Sequence, residues 1–328
     1  MSTEKLKRGL VNKILLSFVI SCFLATLLSI LHIYYLHFYT EIPLPSLTVE
    51  SFYRDNFTSL LDIHPTYYSM YITFSTIVIV FFLFRDWNKL KIYVKFLALF
   101  VIVYFAFINI LLSSRMLLLI SLLMLVTLLI RFLFKNRVAG IIIILFLTLS
   151  TTFFFIHKNN IIKKRFTELT ETQWTPPIGI YYNSTNLRVG ILNCSFSLLK
   201  NNWLFGFGTG SAQKNLNACY QSSGYSDVLF IDQYDTHNQY LNVWLNTGVI
   251  GLAIFLLTIV IPMKKAYKAN CFLYLAFLSL IALCCFTESL LERQSGIVFY
   301  AFFNSLFSFH VIEKSNMGIQ FLVSERSR

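Results

Sequence analysis

Charge is what this chain has least of. Only 13% of its residues are Asp, Glu, Lys or Arg, about half the share of an ordinary soluble domain. That scarcity excludes most soluble classes. Metal-ligand spacing is also missing. The six cysteines include Cys22, Cys271, Cys284 and Cys285 inside apolar stretches, with no second ligand at a fixed interval. No internal repeat is visible. Ionisable residues are almost absent from the central portions of the apolar runs, where transporters and proton relays carry theirs.

What is present is apolar sequence of membrane length: 56% of residues are hydrophobic, with 34 Phe. A bilayer core of about 30 Å takes roughly 20 residues of helix to cross. Such runs lie near 14–36, 66–84, 96–112, 116–134, 138–156, 239–262, 271–287 and 296–311. The expected fold is all-α: a polytopic integral membrane protein with about eight transmembrane helices. The first run follows the basic start Lys5, Lys7, Arg8 and Lys13, as a signal peptide would. It lacks a small-x-small cleavage site and continues into His32, Tyr34, Tyr35 and Tyr39, an aromatic belt rather than a processing site.

The formal net charge of +12 raises the question of nucleic acid, and its placement answers it. With both termini cytoplasmic, the cytoplasmic segments hold 17 of the 27 Lys and Arg and only four acids, while the outward segments carry ten bases and eleven acids. Every short loop then obeys the positive-inside rule. The charge is a topology signal, and no nucleic-acid partner is expected. The organisation expected is residues 1–95 with the first two helices, a membrane domain over 96–312 that includes an outer loop at 157–238, and a cytoplasmic tail at 313–328.

The long outer loop is neither low in complexity nor uniformly polar. Ser184 or Thr185 is expected to cap a helix over 186–200, where Leu187, Ile191, Cys194, Leu198 and Leu199 keep helical spacing. A second short helix is expected over 211–222, closed by Gly224. Gly206-Phe207-Gly208-Thr209-Gly210 follows no strand, so a nucleotide loop is excluded and a tight turn returning the chain to the membrane is expected. Cys194 and Cys219 are the only cysteines in this loop. They can form a disulfide on an oxidising side, although the plainer reading of two small half-buried side chains is preferred.

Three residues could carry chemistry, and each has a plain structural reading beside it. Arg115 follows Ser113-Ser114 at a helix start, which puts a guanidinium at the outer membrane boundary, as a functional cation or as one snorkelling to headgroups. Arg188 opens the loop helix, where helix amides and a guanidinium suit a phosphate, or where it is a solvated cation. His237, in Asp235-Thr236-His237-Asn238-Gln239-Tyr240, suits proton transfer near neutral pH. Asp235 or Asp232 could orient it, or the three could hold a metal. His64 and Tyr67 at one helix start, and Glu288, Glu292 and Arg293 at another helix end, face the same side, with Glu288 and Glu292 on one helix face.

Three stretches, SSRMLLLISLLMLV, NLRVGILNCSFSLLKNNWLFGFGTGS and DTHNQYLNVWLNTGVIGLAIFLL, resemble the O-antigen ligase and O-antigen polymerase-like membrane family over roughly 95–262. FTESLLERQSGIVFYAFFNSLF and HPTYYS look similar to its members too. The chain departs from the family in its smaller number of helices and in Asn202-Trp203, where a proline is frequent. The resemblance implies a fold like that of lipid-linked glycosyltransferases and a bacterial inner-membrane location. It implies transfer of a glycan from a polyprenyl diphosphate carrier to a hydroxyl of lipid A–core or of a growing glycan. Arg115 and Arg188 would hold the diphosphate and His237 would activate the acceptor. His64, Tyr67, Glu288 and Arg293 would add substrate contacts, with membrane lipids around the site and neither metal nor cofactor. The alternatives are a polysaccharide or lipid exporter without catalytic activity and a non-catalytic assembly protein.

Overall fold

The structure, a computed structural model, describes residues 8–40, 56–112, 117, 119–122, 126, 174–180 and 182–326. Arg115 and the expected spans 116–134 and 138–156 fall almost wholly outside the described residues. Among those described, every regular element is a helix. Four of the described helices are long and apolar enough to cross a membrane: within α1 (Arg8–Thr40), α2 (Pro65–Asp86), α3 (Ile92–Leu111) and α7 (Gln239–Lys268). Most helices run past the apolar stretches that announced them, because polar flanks continue the backbone hydrogen bonding for a turn or more.

The chain divides into two compact units. The first takes 1–161, 266–280 and 302–328. Its centre is α2, buried over 72% of its membrane window against 28% for α1 and for α3. Pro65 opens α2, and the His64 ring nitrogen accepts from the Thr66 amide at 3.4 Å. The helix ends on Arg85, paired with Asp86 at 2.7 Å. Phe74 meets Phe303 at 4.8 Å and Phe277 at 5.2 Å between ring centroids, and Phe18 meets Phe303 at 4.9 Å. The buried amide of Asn109 is satisfied inside this apolar packing. It accepts from Ser69 Oγ at 2.7 Å and donates to Thr73 Oγ1 at 3.3 Å, a polar tie of the kind that joins helices in lipid.

The second unit takes 162–265 and 281–301. Three loop helices, α4 (Ser184–Asn202), α5 (Ala212–Ser222) and the single turn α6 (Val228–Ile231), pack on the head of α7. Leu187, Ile191, Cys194 and Leu199 of α4 share one core with Leu216 and Tyr220 of α5, Leu229 of α6, and Leu241 and Leu245 of α7. The helically spaced apolar set read from the sequence is this buried face. The cap of α4 lies earlier than expected. Asn183, not Ser184 or Thr185, accepts from the Thr185 and Asn186 amides at 2.9 and 3.1 Å, and Asn186 returns a bond to the Asn183 amide.

α8 (Phe272–Cys284) has 13 residues, about 20 Å at 1.5 Å per residue, where a span over 271–287 was expected. It stops early because the Cys285 carbonyl accepts from the Gln239 amide, at 2.8 Å, instead of continuing the helix. Glu288 and Glu292 therefore do not share a helix face. Glu288 lies in the following turn, before a 3-10 segment at Leu290–Glu292 and α9 (Gln294–Arg326).

Candidate active site at the head of a broken helix

The turn entering α7 is held by nearly every polar group in it except the imidazole. Asn238 caps α7, its Oδ1 accepting from the Tyr240 and Leu241 amides at 2.9 and 3.1 Å. Its Nδ2 donates to the Phe286 carbonyl at 3.2 Å. Gln239 Oε1 accepts from the Leu291 amide at 2.6 Å, and the buried Thr236 hydroxyl donates to the Asn238 carbonyl at 2.8 Å. From α5, Gln213 and Tyr220 donate to the Tyr234 carbonyl at 3.0 and 3.2 Å. Burial, with Asp235 nearby, raises the Tyr220 phenol well above its usual range, so it remains a neutral donor.

His237 is the strained member of this turn. Its φ of 43° lies in the left-handed region, where a side chain other than glycine costs about 1–3 kcal/mol and is found at functional sites. Asp235 Oδ1 accepts from the His237 amide at 2.8 Å, stabilising that conformation as an Asx turn. The Tyr234 ring packs 5.5 Å from the imidazole.

The imidazole reaches across to the turn after α8. His237 Nδ1 lies 3.3 Å from Glu288 Oε2 and 3.8 Å from Asp235 Oδ1; Glu288 is the more buried carboxylate, its side chain 15% exposed against 38%. The shorter contact marks Glu288 as the orienting group. A carboxylate facing Nδ1 favours a ring proton on that nitrogen, and Nε2 has no hydrogen-bond partner among the described residues. Asp235 serves the backbone, and Asp232 is exposed. Among the described residues, Asp232, Asp235 and His237 do not form a metal-ligand cluster.

A second contact locks α7 from the loop side. α7 breaks at Gly248 (φ 69°, ψ −173°), and the turn Trp203–Gly208 threads the gap. Phe207 N–H donates to the Leu245 carbonyl at 2.7 Å, Gly208 N–H to Asn246 at 2.9 Å, and Val249 N–H to Trp203 at 2.9 Å. Trp244 Nε1 adds a bond to the same Trp203 carbonyl at 2.9 Å. Each glycine leaves room for the other segment. A Cβ on Gly206 would meet the Leu245 carbonyl at 2.6 Å and the Gly248 nitrogen at 2.7 Å, and a Cβ on Gly248 would fall on the Leu204 carbonyl. The tight turn expected here exists, and its partner is the helix break.

Cys194 and Cys219 are bonded, with Cα atoms 5.8 Å apart, so the preferred reading of two unlinked side chains is corrected. The bond joins α4 to α5, which their shared core already brings together. Closing a 25-residue interval restricts the unfolded chain by about 3.5 kcal/mol on the loop-entropy relation. Cys194→Ser with Cys219→Ser is expected to destabilise the loop helices by roughly 2–4 kcal/mol, read as a lower thermal midpoint of the purified protein. An unchanged midpoint would show that the bond contributes nothing.

The other sequence candidates separate. Arg188 is half-buried in the second turn of α4 and has no carboxylate partner among the described residues. Two first-turn amides of that helix, Thr185 and Asn186, already donate to Asn183, so Arg188 would meet a phosphate mainly through its guanidinium. Arg293 is exposed, its carbonyl accepting from the Gly296 and Ile297 amides. His64 and Tyr67 belong to the first unit, where Tyr67 is buried and its ring lies 6.2 Å from that of His64.

The apolar helices and the placement of polar groups at a helix end define a membrane protein whose candidate chemistry sits at a helix terminus rather than within a span. Residues 100–256 match the family model described as O-antigen ligase, just under half of the 328-residue chain. That match makes the segment similar to the O-antigen ligase family and supports glycan transfer of the ligase and polymerase type in general. No curated protein matches the chain. The matched segment includes Arg115, Arg188 and His237 and stops short of Glu288.

Proposed function

We propose that this protein transfers a glycan from a polyprenyl diphosphate carrier to an acceptor hydroxyl at the outer face of a bacterial inner membrane, as an O-antigen ligase or a surface-polysaccharide polymerase. The observation that carries the reading is His237, whose Nδ1 lies 3.3 Å from Glu288 Oε2 while Nε2 has no partner among the described residues. In this scheme Nε2 takes the acceptor proton while the acceptor oxygen attacks the sugar carbon bonded to the diphosphate. The carbon–oxygen bond to the carrier breaks, and the polyprenyl diphosphate leaves with the electron pair. Arg115 and Arg188 stabilise the departing charge. The protein spans the membrane eight times with both termini cytoplasmic, and residues 157–238 lie outside. The Cys194–Cys219 disulfide supports that placement, since such bonds persist in oxidising compartments.

Glycan profiling of a deletion strain tests the reading. Loss of all polymer from the lipid A–core indicates a ligase, and core capped with single repeats indicates a polymerase. Polymer of normal amount and length on the core would refute both. Glu288→Gln keeps the size of the side chain but loses the charge that orients the imidazole, so transfer is expected to fall about a hundredfold. Since Glu288 acts through His237, adding Glu288→Gln to His237→Ala is expected to cost nothing further. Independent, multiplying losses would separate Glu288 from the histidine.

A further inference from the structure

The first loop helix has three sectors where an ordinary surface helix has two. At about 100° per residue, the core-facing sector holds Leu187, Ile191, Cys194 and Leu199. Beside it runs a second apolar stripe that remains exposed among the described residues: Leu192, Phe196 and Trp203, 38%, 50% and 53% exposed, followed by Phe205 at 73%. The remaining sector is polar, with Asn193, Ser197 and Lys200 all exposed. A helix carrying Leu, Phe and Trp on one flank and an exposed Lys on the next has the composition of one that lies in the headgroup layer.

The position of the stripe identifies its occupant. Its end is fastened to α7 by the bonds from Val249 N–H and Trp244 Nε1 to the Trp203 carbonyl. Directly after that point α7 shows a row of exposed apolar residues on one face, Ile250, Ile254, Leu257 and Ile261. This helix is apolar enough to cross a membrane, yet only 17% of its membrane window is buried among the described residues, as expected of a row that meets lipid. The Trp203–Phe205 turn is attached at the end of that row, where hydrocarbon gives way to headgroups and Trp is enriched.

We propose that the α4 stripe Leu192, Phe196 and Trp203, with Phe205, rests in the bilayer surface, making α4 an interfacial helix continuous with the lipid-facing row of α7. This goes beyond the transfer reading, since it holds whatever reaction the protein performs.

Nitroxide labels at Phe196→Cys, Phe205→Cys and Ser197→Cys test it in the full chain in phosphatidylethanolamine–phosphatidylglycerol nanodiscs. Cys22, Cys271, Cys284 and Cys285 are replaced by alanine, and the Cys194–Cys219 bond is kept. Labels at 196 and 205 are expected to relax faster with oxygen than with a water-soluble nickel chelate, and the label at 197 the reverse. Nickel-dominated relaxation at 196 and 205 overturns the proposal by placing the stripe in water. Poor access to both reagents there also overturns it, by showing a protein cover such as a second copy. In the unmodified chain, a lipid-soluble carbene probe is expected to label Phe196, Trp203 and Phe205. Labelling confined to the transmembrane helices would refute the placement independently of any variant.

Discussion

His237→Ala is expected to abolish nearly all glycan transfer while leaving the protein inserted and folded. Removing a general base costs about 10²–10⁴ in rate, roughly 3–5 kcal/mol of barrier at about 1.4 kcal/mol per decade. The fold should tolerate the change, because the turn is framed by its neighbours. Asn238 caps α7, Gln239 and Thr236 bond across the turn, and among the described residues the imidazole nitrogens approach only the carboxylates of Glu288 and Asp235. The check is transfer by purified protein, wild type against His237→Ala, each with and without EDTA. An alanine variant that transfers normally would end the general-base assignment. Transfer abolished by EDTA would revive the metal reading of Asp232, Asp235 and His237.

The second large effect is on folding. Gly248→Ala is expected to cost about 4 kcal/mol or more, in the range reserved for named structural lesions. Its φ of 69° with ψ of −173° is a region open essentially to glycine alone, worth about 1–3 kcal/mol of strain for any other residue. The added Cβ would also displace Leu204 and with it the three backbone bonds of the crossing, each contributing about 0.5–1.5 kcal/mol. Gly206→Ala meets the same crossing from the other segment and should behave alike. Gly210, four residues on, has open space around it, so Gly210→Ala is the matched control and should be silent. Thermal unfolding monitored by size-exclusion chromatography decides. Equal midpoints for Gly248→Ala and Gly210→Ala would mean that the crossing does not secure the helix.

The sequence was informative wherever one element decides the outcome alone. Apolar length located the described helices, and the spacing of Leu187, Ile191, Cys194 and Leu199 marked the buried side of α4. His237 stood out because an imidazole beside carboxylates suits proton transfer near neutral pH. What escaped were choices between chemically equivalent neighbours and contacts between distant ones. Asn183, Ser184 and Thr185 can all cap a helix, and only the backbone path selected Asn183. Asp232, Asp235 and Glu288 can all orient an imidazole. The two near in sequence were favoured, while the fold brought in Glu288 from 51 residues away. The glycines at 206 and 248 are unremarkable singly, and their meaning lies in a crossing that no local pattern encodes. The disulfide followed the same rule, since spacing alone cannot tell a bonded pair from two small side chains.

The interval between His237 and Glu288 also sets an order of assembly. During synthesis the loop helices, their disulfide and the capped histidine turn emerge first, and the acid follows only after α7 and α8. At about 5–20 residues per second, the 51-residue interval lasts several seconds. Through that time the nascent chain can fold its loop while the imidazole has no Glu288 to hold it. The site is thus completed last, when the helices that join its two halves have been delivered.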